Sequence, residues 1–139
     1  MNTLYTPDQT TRISLPLYMT AIEAGFPSPA DDYIEGSLDL NQHLIRHPAA
    51  TFFVRVSGDS MVNAGIFPDD ILIVDRSLEA VDKKIVIAVV DGDLTVKRLR
   101  IRSGNPFLEP ENDRYPPIEV TPDMAFEIWG VVTSVIHKV

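Results

Sequence analysis

The chain has 139 residues, 45% of them hydrophobic, and a formal net charge of -8. That length fits one domain with room for a tail, and that apolar share supports a buried core. The acidity opposes direct nucleic-acid binding, and the lack of cysteine excludes disulfides, thiolate zinc sites and a cysteine nucleophile.

Residues 1–12 are polar and carry no basic segment followed by an apolar one, and no apolar run reaches membrane-spanning length. The expectation is a cytoplasmic protein without membrane contact. Residues 1–38 hold Pro7, Pro16, Pro27 and Pro29 without a sustained hydrophobic period. Ile13, Leu15, Leu17, Ile22 and Phe26 are scattered apolar anchors, and a short helix over 17–24 is compatible with the pattern. This stretch reads as an extended N-terminal arm, ahead of a core over 39–139.

Asp39 is a helix N-cap, with Leu40, Leu44 and Ile45 on one face and Pro48 as the stop. Strands are expected over 51–56, 70–74, 85–90 and 93–100, the last two joined by an Asp91-Gly92 hairpin turn. Further β segments are expected over 118–120, 125–132 and 133–137. Asn105-Pro106 and Tyr115-Pro116-Pro117 read as turns. Short strands with frequent turns and little helix predict a mainly β, small, curled, barrel-like domain with one short helix.

Ser60 lies in Ser57-Gly58-Asp59-Ser60-Met61, just after the strand over 51–56. A serine past a glycine bend can expose its hydroxyl where backbone N–H groups converge, which acyl transfer needs. The same run also makes an ordinary side-chain-capped turn. Lys97 sits in Leu94-Thr95-Val96-Lys97-Arg98-Leu99. Burial can strip the proton from such a lysine and make it a base, but alternation leaves the inner face undecided, and a solvated lysine fits too. Lys83 and Lys84 fall in a polar turn and should stay charged. Ala24-Gly25 is a small, accessible dipeptide ahead of Pro27 and Pro29, which favour extended backbone. It suits cleavage by a tethered site and equally an ordinary loop. His43 and His47 have the spacing of a helical metal pair, but Leu44 stands where a glutamate would follow and no third ligand is indicated. No metal and no cofactor are expected.

Taken jointly, several stretches carry a resemblance: Ala24-Gly25-Phe26-Pro27-Ser28-Pro29-Ala30, Asp39-Leu40-Asn41-Gln42, Ser57-Gly58-Asp59-Ser60-Met61, Asp70-Ile71-Leu72-Ile73-Val74-Asp75 and Thr95-Val96-Lys97. Over about residues 15–137 the chain resembles the UmuD branch of the LexA-type Ser–Lys self-cleaving proteases. The resemblance implies that Ser60 is the nucleophile, Lys97 the general base and Ala24-Gly25 the scissile bond. It implies an oxyanion hole from the backbone N–H groups of Ser60 and Asp59. It also implies cleavage stimulated by RecA–single-stranded DNA filaments in the SOS response. The product starting at Gly25 would join a UmuC-like translesion DNA polymerase as a homodimer. The 24 residues before the bond do not read as a helix-turn-helix, which sets the chain apart from the repressors. Strands at the C-terminus are expected as surplus edges able to pair across the dimer. A non-catalytic polymerase accessory module with a relic Ser–Lys site would carry the same motifs. Signal peptidase shares the chemistry but needs an anchor.

Overall fold

The structure, a computed structural model, describes residues 3–7, 12–18 and 34–139. Two compact units emerge, one formed by residues 1–7 and 47–139, the other by residues 8–46. The expected helix over 17–24 and the Ala24-Gly25 dipeptide lie outside the described residues, apart from positions 17 and 18.

In the smaller unit, β2 (Ser14–Tyr18) pairs antiparallel with β3 (Ile34–Asp39). Ile13 and Leu15, read as anchors, are exposed. The helix α1 (Leu40–Leu44) follows β3 directly. Its Asp39 cap forms as expected, the carboxylate accepting from the Asn41 N–H at 2.9 Å.

The larger unit is mostly β, as the composition and turn spacing predicted. Its strands are β1 (Thr3–Tyr5), β4 (Thr51–Arg55), β5 (Ile71–Asp75), β6 (Ile85–Val90), β7 (Asp93–Arg102), β8 (Asn105–Glu109), β9 (Ile118–Glu119) and β10 (Phe126–Ile136). They form one antiparallel sheet in the order β1-β4-β5-β10-β6-β7-β8-β9. Four neighbour steps separate β4 from β7. A flat sheet would hold them ~19 Å apart at ~4.8 Å per step. Yet Val54 of β4, Leu72 and Val74 of β5, Ile87 of β6 and Val96 of β7 share one buried cluster. The sheet therefore curls strongly, although no pairing joins β1 to β9 among the described residues, so it is not a closed barrel.

A second cluster, of Val86, Ala88, Leu99, Leu108 and Val131, occupies the other face of β6 and β7. Both faces of β7 are therefore covered, Val96 lying in one core and Leu99 in the other. This double burial explains why alternation along β7 gave no clear inner side.

The C-terminal strands depart from expectation. The segments read as two are one strand, β10, inside the sheet rather than at its edge. Its first half pairs with β6 over Phe126–Val131 and its second half with β5 over Val131–Ile136. Each half therefore keeps one side unpaired among the described residues. The exchange of partners needs close backbone approach at Gly130, where a Cβ would stand 2.7 Å from Val74 Cγ1 and 3.1 Å from the Asp75 carbonyl oxygen.

Candidate active site

The segment that carries Ser60, the candidate nucleophile, begins where β4 ends. Val56 is tied to the start of β5 by its N–H to the Asp70 carbonyl and by the Asp69 N–H to its own carbonyl, both at 2.8 Å. Gly58 then takes φ +84°, a left-handed conformation that side chains disfavour. Asp59 and Ser60 turn the chain into a short 3₁₀ segment, Val62–Ala64. Met61 and Ile66, each 1% exposed, pin this loop into the first core. Ser60 thus precedes a fixed anchor while remaining half-buried itself.

Lys97 lies on β7 opposite Val86 of β6. Its Nζ stands 2.8 Å from Ser60 Oγ, 3.1 Å from Thr95 Oγ1 and 3.0 Å from the Val96 carbonyl oxygen. Burial penalises the ammonium and lowers the lysine's pKa below its ordinary 10.5. No carboxylate pairs with the amine among the described residues. A neutral amine can donate to the Val96 carbonyl and the Thr95 hydroxyl, leaving its lone pair for the Ser60 O–H. Lys83 and Lys84 are exposed, in keeping with their reading as solvated.

Among the described residues no acceptor takes the N–H of Asp59 or of Ser60. The carbonyls beside them are occupied. Asn112 Nδ2 donates to the Asp59 carbonyl at 2.9 Å, and the Glu111 N–H donates to the Ser60 carbonyl at 2.8 Å. The Tyr115 hydroxyl donates to Asp59 Oδ1 at 2.5 Å. That bond and the Asp59 charge hold the phenol above its usual range. Glu111 also pairs with Arg98 at 2.5 Å, the residue after Lys97. Sequence reasoning missed this loop. It read Asn105-Pro106 and Tyr115-Pro116-Pro117 as turns and assigned nothing between them, whereas β8 occupies Asn105–Glu109 and the polar residues beyond it carry the contacts.

The two histidines read for metal spacing have other surroundings. His43 is in α1, and His47 Nδ1 is 2.6 Å from Asp75 Oδ2. A cleft of about 380 Å³ lined by Tyr5, Phe52, Arg76 and Trp129 contains neither Ser60 nor Lys97. Among the described residues no helix is long and apolar enough to cross a membrane.

A hydroxyl 2.8 Å from a partly buried amine, beside two backbone donors that no described residue occupies, is an arrangement suited to acyl transfer without histidine. Comparison with known proteins agrees, since residues 16–133 match the family model described as Peptidase S24-like. The chain belongs to the Peptidase S24-like family. It is 48% identical over 121 residues to Protein MucA of Salmonella typhimurium, covering 86% of this chain and 82% of that one. It is 50% identical over 123 residues to Protein ImpA of Shigella flexneri, covering 88% and 83%. With the LexA repressor of Shewanella baltica it shares 36% identity over 134 residues, covering 94% of this chain and 63% of the repressor. The resemblance to the LexA/UmuD-type group drawn from the motifs therefore holds.

Proposed function

We propose that the chain is a self-cleaving serine peptidase that cuts its own Ala24-Gly25 bond, with Ser60 as nucleophile and Lys97 as general base. The observation that carries this reading is the 2.8 Å approach of Lys97 Nζ to Ser60 Oγ with the amine withdrawn from water. Ser60 Oγ attacks the Ala24 carbonyl carbon and its proton passes to Lys97 Nζ. The resulting oxyanion is held by the N–H groups of Ser60 and Asp59. Collapse breaks the peptide bond, and Lys97 returns the proton to the leaving Gly25 amine. Water then attacks the acyl ester, its proton again taken by Lys97, and the Ala24 carboxylate leaves while Ser60 Oγ recovers its proton. No metal or cofactor enters any step.

The wider role we infer is that of a UmuD-like protein of the SOS response in the cytoplasm. RecA–single-stranded DNA filaments would stimulate cleavage, and the product starting at Gly25 would serve as a homodimer with a UmuC-like translesion DNA polymerase. The relatives MucA and ImpA and the LexA repressor support this placement. Functionally the arm spans residues 1–38 and the peptidase and dimerisation core spans residues 39–139.

Incubation of the purified chain at alkaline pH, with and without RecA filaments, tests the reading. A fragment starting at Gly25 is expected from the parent protein and none from Ser60→Ala. If the parent yields no such fragment under either condition, the chain is a non-catalytic polymerase accessory module and its Ser–Lys pair a relic.

A further inference from the structure

We propose that Asn112 is the positioning residue that aims the Ser60 N–H at the developing oxyanion, and that the loop carrying it sets the nucleophile against its base. The proposal rests on the peptidase reading above and deepens it.

The argument starts at the Asp59–Ser60 peptide. A trans peptide points its C=O and N–H in opposite directions. Fixing the Asp59 carbonyl therefore fixes the Ser60 N–H. Asn112 Nδ2 makes the shorter of that carbonyl's two bonds, at 2.9 Å, the longer coming from the Val62 N–H at 3.4 Å. Its amide cannot be turned over, because the Arg114 N–H donates to Oδ1 at 3.0 Å and requires an oxygen there. The next peptide, Ser60–Met61, is held by the adjacent residue, through the Glu111 N–H to the Ser60 carbonyl. The Glu111 carbonyl in turn accepts from the Asn63 N–H at 2.8 Å. Both peptide planes flanking the nucleophile are thus gripped from one side by consecutive residues of one loop.

The same loop is fastened to the base strand. Arg98 Nε lies 2.5 Å from Glu111 Oε1, and Arg98 Nη1 donates to the Lys83 carbonyl at 2.7 Å. Lys97 and Arg98 are neighbours on β7. One touches the nucleophile directly and the other reaches it through Glu111. Lysine and serine come from β7 and from a loop after β4, four sheet neighbours away, so a second link between them has a mechanical purpose.

Two substitutions separate aiming from turn-building. Asn112→Asp keeps an oxygen for the Arg114 N–H but replaces the donor to the Asp59 carbonyl with a charged oxygen that repels it. Asn112→Ala loses both and adds no charge. Self-cleavage is timed from neutral to alkaline pH in the full chain, with thermal melting as a check on folding. Both variants are expected to cut about ten- to a hundredfold more slowly, a part of what loss of an oxyanion donor costs. The Ala variant should slow by the same factor at every pH, with the midpoint of the pH profile unmoved. Cleavage by Asn112→Asp at the parent rate would overturn the proposal and leave Asn112 a turn former. So would an Ala variant whose midpoint moves upward and whose full rate returns at alkaline pH, because that would place the effect on Lys97. Should Asn112→Ala fail to fold, Asn112→Asp carries the test alone. If the parent protein does not cut, or Ser60→Ala does, the peptidase reading itself fails, an outcome distinct from unaffected Asn112 variants in a protein that does cut.

Discussion

Val86 stands directly across the β6–β7 ladder from Lys97 and is wholly buried. Partial burial beside that residue penalises an ammonium, which depresses the lysine's pKa. If the amine is the base, the cleavage rate follows its neutral fraction. The rate should rise about tenfold per pH unit and level off above a midpoint lower than the ordinary 10.5. Timed incubation of the purified chain across pH measures this, and a flat profile would move the base elsewhere.

The same burial has a stability counterpart that runs in the same direction with pH. Between the native Lys97 pKa and 10.5 the unfolded chain holds a proton that the folded chain does not, so stability rises with pH across that window. Lys97→Met keeps the stem and removes the amine. It should abolish cleavage, flatten that slope and raise the melting temperature at neutral pH by about 2–8 °C. Parallel melts of parent and variant check both parts.

Asp75, at the end of β5 and 4% exposed, differs in that its charged form is the one the fold favours. Desolvation raises its pKa, but bonds from the Ser77 hydroxyl and N–H and from His47 outweigh it, and the net shift is downward from 3.8. Its contribution is full above 3.8 and is lost as pH falls through the lower native value. Asp75→Asn should lower stability at neutral pH by about 1–3 kcal/mol and reduce the acid sensitivity of what remains, as urea titrations at pH 7 and pH 3 would show.

Gly130→Ala should destabilise the fold by about 1–3 kcal/mol. The new methyl would meet Val74 Cγ1 at 2.7 Å and the Asp75 carbonyl at 3.1 Å, and Val74 is itself fully buried. A fall in the denaturant midpoint with an unchanged slope is the expected signature.

The edge of β4 offers a separate test. Val56 bonds toward β5, so alternation turns the Phe53 and Arg55 N–H groups toward β1, opposite Tyr5 and Thr3. Continued register would set Pro7 against Thr51, and Pro7 has no N–H to extend the ladder. Tyr5→Pro should speed hydrogen exchange at Phe53 and Arg55 while leaving Val54, which faces β5, protected. Equal protection in the variant would contradict the pairing.

Much of this architecture was legible in local turn chemistry. Asp91-Gly92 predicted the β6–β7 hairpin, and both residues take positive φ there, 49° and 86°. The next hairpin was not legible. Its turn is Ser103-Gly104, at φ 53° and 79°, but Asn105-Pro106 drew the reading one step along. Pro106 is tolerated in β8 because the bond from Val120 uses its carbonyl and asks for no N–H. The break read between 132 and 133 is a register shift in β10, not a turn. The site was legible as motifs and not as geometry. Ser60 and Lys97 could be named from their neighbours, whereas their approach depends on a curl that joins strands far apart in sequence. Asn112 and Glu111 were hidden for the same reason, since a polar loop residue gives no periodic signal.

The position of β10 also governs timing. It stands between the ladder that leads to Ser60 and the ladder that carries Lys97, and it is synthesised after every other strand of the sheet. A chain emerging from the ribosome therefore has both groups long before it has the staple that brings them face to face. If the pair is a peptidase site, strand order delays its assembly until the last strand of the sheet has been made.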